Sequence, residues 1–374
     1  MRRGIDLPRY GFGGAPLGNL YDEVAEEQAR ATVDAAWESG VRLYDTAPHY
    51  GLGLSERRLG VALAGRSGYL LSTKVGRLLR PKPTRPAHGD TGPSGAGHGG
   101  AGTLGEGRDG AVASGAGRDD VRASGEGRDG AGVSGAGPVA TGGASGAGRD
   151  DEGFDVPAEL ERVWDFSRDG VRTSLEESLA RLGLPAVHLA LIHDPDDHVE
   201  QAIGEAFPAL AELRAEGRIQ AIGVGMNQWQ APLRFVRETD IDVVMLAGRY
   251  TLLDQSGLPL LEECAERGVK VLAAGVFNSG ILATHEPSGT YNYQPAPADL
   301  VDKARRIAAV CERHGVTLPQ AAMAFPLRHP AIATIVLGAR APQEVVENAA
   351  LWSRPVPEAL WAELVAEGLL PGQG

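Results

Sequence analysis

Eight short apolar segments alternate along this chain with eight amphipathic ones, and that alternation restricts the fold more than any other feature. Segments 9–15, 41–46, 69–74, 187–193, 219–225, 241–247, 269–276 and 331–337 read as strands. Helical periodicity follows each of them, near 25–39, 55–64, 169–182, 201–216, 229–238, 257–267, 299–314 and 342–350. Gly40, Gly183, Gly217, Gly268 and Gly315 fall where those helices should stop. Strands joined through helices lie parallel, because each crossover is right-handed and must cover a sheet face. Two architectures satisfy this, a closed (β/α)8 TIM barrel and an open doubly wound sheet. An open sheet that binds a dinucleotide usually carries G-x-G-x-x-G between its first strand and first helix. Here GFGGAPLG runs into Asn19-Leu20-Tyr21 instead of a helix. The count of eight and the missing fingerprint predict the α/β barrel, as one domain over 1–374. Helical stretches around 318–327 and 357–368 are expected outside the repeat.

Residues 88–150 differ in kind from their surroundings. A ten-residue unit recurs there, GEGRDGAVAS from Gly105, GAGRDDVRAS from Gly115 and GEGRDGAGVS from Gly125. Gly, Ala and Ser dominate it, aromatic residues are absent, and its Arg-Asp charges nearly cancel. Such a segment cannot bury enough apolar area to offset its ordering entropy. It reads as a long disordered Gly-rich insertion after the third strand, dispensable for folding and catalysis.

The formal net charge of -13 argues against nucleic-acid and anionic-membrane partners. No apolar run is long enough to span a bilayer, and MRRGIDLPRYGF has no apolar core of a signal peptide. Cys264 and Cys311 both lie in helical patterns, which predicts free thiols in a reducing, cytoplasmic setting. Nothing in the sequence fixes the oligomeric state.

In a barrel, chemistry collects where the strands end. Asp45 ends the second strand, and Tyr50 follows in the turn TAPHYG. Lys74 ends the third and His193 the fourth. Singly, each has an ordinary explanation: a solvated lysine, a packing tyrosine, a histidine bracing a turn. Four such groups from adjacent strands on one rim form a coherent acid–base set. A carboxylate keeps the lysine charged, and the lysine in turn favours the phenolate of Tyr50. A phenol so tuned can exchange a proton with a carbonyl or alcohol oxygen that His193 orients. No metal-ligand cluster and no nucleophilic Ser or Cys motif accompanies them, so the set lacks only a hydride carrier.

The pattern D-x-A-x-x-Y-G at 45–51, S-x-K at 72–74 and I-H-x-x-D at 192–196 resembles the aldo-keto reductase family over the chain apart from the insertion. The resemblance implies a barrel that binds NAD or NADP in extended form without a Rossmann motif. It also implies roles: Tyr50 as proton donor or acceptor, Lys74 and Asp45 tuning it, and His193 orienting the carbonyl. In Gly223-Val224-Gly225-Met226-Asn227 it assigns Asn227 to the nicotinamide carboxamide. It places Glu347 and Asn348 on adenine, and Gly338 and Arg340 at the adenosine phosphate end. Gly275 stands where the family commonly has an aromatic residue against the nicotinamide, with Phe277 or Asn278 compensating. LAGRYTLLDQ from Leu246 and AAGVFNSGIL from Ala273 resemble the branch that oxidises sugars at C1, of L-fucose and D-threo-aldose type, with pyridoxal 4-dehydrogenase close by. The implied activity is hydride transfer between NAD or NADP and a small aldose in carbohydrate metabolism. A general aldehyde or pyridoxal enzyme and a non-catalytic cofactor-binding barrel are the alternatives. His49, Asp194, Trp229 and Arg249, with Asn278, are expected to line a polar substrate mouth, and no metal is expected.

Overall fold

The computed structural model describes residues 5–82, 149–287, 289–292 and 294–372. They belong to one compact unit. The barrel strands are β1 (Tyr10–Gly13), β2 (Leu43–Asp45), β3 (Leu70–Val75), β4 (Leu189–His193), β5 (Ala221–Met226), β6 (Val243–Ala247), β7 (Lys270–Ala274) and β8 (Ile332–Gly338). All pair in parallel with their sequence neighbours, and β8 closes on β1. The expected (β/α)8 barrel is therefore present, with every predicted strand in it.

Alternation along each strand divides the apolar residues into two layers. Leu43, Leu189, Leu191, Val243, Met245, Leu272 and Val336 fill the barrel, and Leu7 joins them ahead of β1. Their chain neighbours, among them Tyr44, Leu71, Ala190, Ile192, Val244 and Ile335, face the helices. The helices are α1 (Glu26–Glu38), α2 (Leu54–Leu63), α3 (Arg168–Leu182), α4 (Phe207–Ala215), α5 (Gln230–Glu238), α6 (Leu258–Arg267), α7 (Ala298–Arg313), α8 (Leu318–Ala324), α9 (Pro342–Trp352) and α10 (Glu358–Ala366). Ser167 caps α3 by accepting from Gly170 N at 3.1 Å. A π turn over Ala202–Ala206 leads into α4, where Pro208 has no N–H for a regular helical bond.

Two expectations need correction. Segment 318–327 was expected outside the repeat, yet α8 packs on α9 and sends Met323 into the main cluster. The buried face of α7 (Ala304, Ile307, Val310 and Cys311) instead packs wholly in a separate cluster with Leu360, Trp361 and Leu364 of α10. Periodicity shows that a helix is amphipathic, not which apolar layer its stripe meets. The second correction concerns the insertion boundary. Beyond β3, Arg77–Pro81 pairs antiparallel with Leu160–Trp164, so the path out and the path back form one ribbon. Most of 88–150 lies outside the described residues, but Arg149 and Asp150 lie within them. Arg162 donates to both Asp150 oxygens at 2.7 and 2.9 Å, and both side chains are only 2% exposed. Those two residues belong to the ordered return path.

A buried charge left without its partner is costly. Asp150→Ala should therefore lower the unfolding free energy by about 3 kcal/mol, read from urea denaturation. A change within error of zero would place Asp150 with the insertion after all.

Candidate active site

The inward positions that Leu43, Leu189 and Leu191 occupy lower in the barrel become Asp45, Lys74 and His193 at the upper strand ends. On β2 the inward face reads Leu43 then Asp45, and on β4 it reads Leu189, Leu191, His193. On β3, Leu71 and Val75 face the helices, which leaves Ser72 and Lys74 inside. The same two-residue period that fills the core thus delivers three ionisable groups to one rim. Tyr50 arrives from the β2–α2 turn. Gly51 there has φ +61°, and a Cβ on it would lie 2.2 Å from Gly18 O. The turn can rest backbone to backbone on the β1 loop only because Gly51 lacks a side chain. Ser55 donates to Gly14 O at 2.7 Å, so the 2.8 Å contact between Ser55 and Thr46 hydroxyls has Thr46 as donor.

Lys74 holds this arrangement together. Its ammonium donates to Asp45 Oδ2 at 2.6 Å, Thr46 O at 3.0 Å and Tyr50 OH at 2.9 Å. All three ammonium hydrogens are spent. The phenol oxygen accepts from the lysine, so its own hydrogen is donated away from Lys74. Burial pulls Lys74 down, but Asp45 and Tyr50 outweigh it and hold the ammonium above its ordinary value. Burial pushes the Asp45 carboxyl up, opposed by the charge and hydrogen bond of Lys74. The lysine and Asp45 form a buried ion pair with the lysine charged.

Two imidazoles stand beside this group. His193 lies perpendicular to the Tyr50 ring at 6.1 Å between centroids, and His49 packs edge-on to His193 at 5.6 Å. Burial, with the cations of Arg77 and Lys74 close by, holds His193 well below the usual histidine range. Burial first, then Arg77 and Arg162, does the same for His49. Both rings are neutral at pH 7. Arg77 donates to Asp194 Oδ2 at 2.6 Å, and that oxygen lies 3.4 Å from His193 Nε2. Arg162 donates to His49 O at 2.9 Å, while Glu152 Oε2 stands 3.5 Å from His49 Nδ1.

Sequence reasoning missed the wall of this site. Phe154 packs edge-on to His49 at 5.1 Å and lies 6.1 Å from the Tyr50 ring. It shares a small apolar cluster with Leu52, Leu79 and Val156. The available signal was that Phe154 is the first aromatic residue after the repeats. The other residues expected at the mouth have surroundings of their own. Asp194 is committed to Arg77. Arg249 donates to Asp254 at 3.2 Å and Asn292 at 3.1 Å, and Trp229 packs half-buried on the main apolar cluster. His49 of the four lies against His193 and near the Tyr50 ring, with the Glu152 carboxylate beside it.

The residues assigned to a cofactor are spread along the rim. Asn227 is exposed past β5, and Gly338 is exposed at the end of β8. Arg340 pairs with Asp22 through its guanidinium, and its backbone N–H is taken by Glu344 at 2.9 Å. Glu347 is exposed and accepts from Gln343, and Asn348 is half-buried one residue on. Asn278 is buried. Its amide donates to Gly248 O at 3.3 Å, and its carbonyl oxygen has no partner. Gly275 explains the missing aromatic residue: its φ is +61°, and a Cβ would lie 3.2 Å from Gly248 N. A side chain at that position would sit in a strained backbone conformation and press on the Gly248 backbone. Among the described residues no cluster of His, Cys, Asp and Glu could hold a metal ion, and no helix is long and apolar enough to cross a membrane.

The two neutral imidazoles make stability depend on pH. Their folded values lie below the ordinary value of about 6.5, so below that pH the unfolded chain binds more protons. Their contribution is then complete above about pH 6.5 and falls as the pH drops, by up to about 1.4 kcal/mol per pH unit for each ring. Unfolding midpoints measured from pH 7.5 to 5.5 should slope less steeply in His193→Gln than in the wild type. Equal slopes would mean that His193 titrates alike in the folded and unfolded chains.

Comparison with known proteins agrees with this geometry. The chain matches the aldo/keto reductase family over residues 9–110 and 160–366. It is 40% identical to D-threo-aldose 1-dehydrogenase from Pseudomonas sp over 375 residues, covering 98% of this chain and 96% of the relative. It is 34% identical to pyridoxal 4-dehydrogenase from Microbacterium luteolum, covering 99% and 96%. The solved glycerol dehydrogenase from Gluconobacter oxydans superposes with a TM-score of 0.64 at 20% identity, covering 100% of this chain and 97% of that one, which speaks for the fold. The chain belongs to the aldo/keto reductase family and is an oxidoreductase that uses a nicotinamide cofactor.

Proposed function

We propose that this enzyme oxidises the C1 hemiacetal hydroxyl of a small aldose, of D-threo-aldose or L-fucose type, to a lactone. The carrying observation is the buried lysine that donates to Tyr50 OH at 2.9 Å while paired to Asp45. A bound nicotinamide cofactor would supply the hydride acceptor for C1, with Asn227 and Asn278 among the residues that would hold it. Tyr50 takes the hydroxyl proton, and Lys74 favours the phenolate that receives it. His193 positions the substrate, and the wall of Phe154 and the ribbon limits water beside Tyr50. The 40% identity to a D-threo-aldose 1-dehydrogenase supports the substrate class. Oxidation of a pyridoxal-type substrate is the second reading, supported by the 34% identity to a pyridoxal 4-dehydrogenase. Two free, buried cysteines fit a reducing compartment and hence action in the cytoplasm.

The rim residues fit a dinucleotide. The orphaned Asn278 oxygen can accept from an amide, and the first turn of α9 with Arg340 suits an anionic group. Asn227, Gly338, Glu347 and Asn348 complete the proposed binding track. Asp22 and Glu344 both lie on Arg340, and two carboxylates there disfavour an added 2′-phosphate. NAD is the cofactor we assign.

Tyr50→Phe should keep the fold and cofactor affinity but reduce kcat by at least ~10²-fold, the usual scale for a lost general acid or base. In Lys74→Met, residual oxidation should move to higher pH, because the phenolate loses the cation beside it. Near-normal turnover in Tyr50→Phe, scored across aldoses, pyridoxal and simple aldehydes, would refute the proton path. By fluorescence titration, Arg340→Ala should weaken NAD binding by roughly 1–3 kcal/mol if the contact is charge-assisted. Asp22→Asn should tighten NADP more than NAD. Unchanged dissociation constants in both variants would remove Arg340 from the cofactor site.

A further inference from the structure

The charged side chains around Tyr50 can be matched one against another. Lys74 pairs with Asp45 at 2.6 Å, Arg77 with Asp194 at 2.6 Å, and Arg162 with both oxygens of Asp150 at 2.7 and 2.9 Å. Past β6, Arg249 has Asp254 at 3.2 Å, and on the return path Arg149 has Asp155 at 2.7 Å. Each of these cations therefore has a carboxylate of its own. Glu152 is left over. The guanidinium beside it, that of Arg162, is already committed to Asp150 and to His49 O, and Glu152 Oε1 stands 3.5 Å from it.

The place of Glu152 is fixed. Tyr21 N donates to Gly153 O at 2.9 Å and Asp155 N to Asn19 O at 2.8 Å, which pins the backbone just beyond it. Its Oε2 lies 3.5 Å from His49 Nδ1, and the His49 ring lies 6.0 Å from that of Tyr50 and 5.6 Å from that of His193. One imidazole thus separates the carboxylate from the tyrosine. Glu152 is also more open than its neighbours, with 28% of the side chain exposed against 19% for Asp194 and 2% for Asp150. Burial pushes its carboxyl up, Arg162 and Arg77 oppose this, and Asp150 and Asp151 add to it. A partly desolvated carboxylate without a cation of its own acts on any charge that comes near, because little water screens it.

We propose that Glu152 makes the substrate mouth selective by charge, admitting neutral polyhydroxy compounds and rejecting those that carry a phosphate or carboxylate remote from the reacting carbon. This rests on the aldose reading above and narrows it to free, uncharged sugars. A neutral sugar brings hydroxyl donors, which a carboxylate accepts. An anionic group brings a like charge to a rim whose cations are already matched, and nothing there compensates for the water it loses. Discrimination of this kind comes from the repulsive element and needs no added attraction to the right substrate. The repulsion is Coulombic and acts at a distance, so Glu152 need not touch the substrate to exert it. Glu152 determines specificity in this arrangement and takes no part in the proton path.

The test compares kcat/KM of the full-length enzyme for an aldose and for its uronate, the same sugar with its last carbon as a carboxylate, at low and high salt. The wild type should favour the neutral sugar, and the ratio should shrink at high salt as the charge is screened. Effects of salt on cofactor binding cancel in the ratio. Glu152→Gln keeps the shape and removes the charge, so it should narrow the low-salt ratio about tenfold and flatten its dependence on salt. A ratio unchanged in a folded Glu152→Gln overturns the proposal. So does a wild-type ratio that ignores salt, and that result stands even if the variant fails to fold. Carboxybenzaldehyde and its neutral methyl ester, reduced with NADH or NADPH, give the same comparison without a sugar. A wild type that oxidises no aldose overturns the proposed function, while the aldehyde pair still decides whether Glu152 sorts substrates by charge.

Discussion

The site depends on a lysine that stays charged where there is little water to solvate it. Lys74 is 2% exposed, and an ammonium so placed survives only if each of its hydrogens finds an acceptor. The three acceptors come from one stretch of chain: Asp45 ends β2, Thr46 follows it, and Tyr50 closes the next turn. The stretch YDTAPHYG crowds ionisable groups because one cation must be satisfied from one side. The same requirement sets where Tyr50 can be. A phenol that accepts from Lys74 has its oxygen fixed to within a hydrogen bond, before any substrate arrives. The apolar filling below, from Leu43 to Val336, keeps the barrel interior dry, which strengthens every interaction above it.

Behind the rim, buried polar contacts hold the supporting loops. Glu56 is fully buried on the outer side of β3, where it accepts from Thr73 at 2.7 Å and from Arg181 at 2.5 Å. Thr73 is the chain neighbour of Lys74, so this carboxylate ties α2 and α3 to the strand that carries Lys74. Arg58 does the same for the β1 loop, donating to Leu17 O, Asn19 Oδ1 and Val24 O at 2.6–2.8 Å. That loop has only a short 3-10 turn, Ala15–Gly18, of its own. It is held by Arg58 and then carries Leu20 to a bridge with Phe154 and Asp22 to Arg340. A single arginine on α2 thereby supports both the wall beside Tyr50 and the cation at the start of α9.

What the sequence revealed and what it withheld follow from the range of the interactions. The strands and the Asp45, Tyr50, Lys74, His193 set were legible because both rest on local periodicity: strand parity decides which residues face inward, and strand ends decide which reach the rim. Phe154 was not legible, because its position depends on a return path through Arg162 and Asp150 that no local pattern encodes. Asp194 read as a free polar group at the mouth. Its partner Arg77 lies far away in sequence, and only the barrel's closing of β3 on β4 brings the two together. The partners of Arg249, Asp254 and Asn292, were hidden for the same reason, lying on turns that have no periodic signature. For α7 and α8 the period was right and the packing layer was not.

The ribbon explains how the fold accommodates whatever connects Lys82 to Arg149. Lys82 N donates to Glu159 O at 2.9 Å, which closes the ribbon just past Pro81. On the return side, Arg149 pairs with Asp155 at 2.7 Å and Asp150 with Arg162, and the chain then lays Phe154 against His49. Both ends of the connection are therefore fixed at the ribbon, away from the Lys74 group. Lengthening a closed loop adds only about 0.6 kcal/mol per doubling, and that entropic cost falls on the whole fold, not on the geometry at its base. Phe154 comes from inside those anchors and packs on His49 at 5.1 Å, whereas Lys74 and Tyr50, held at 2.9 Å, both precede the ribbon in the chain.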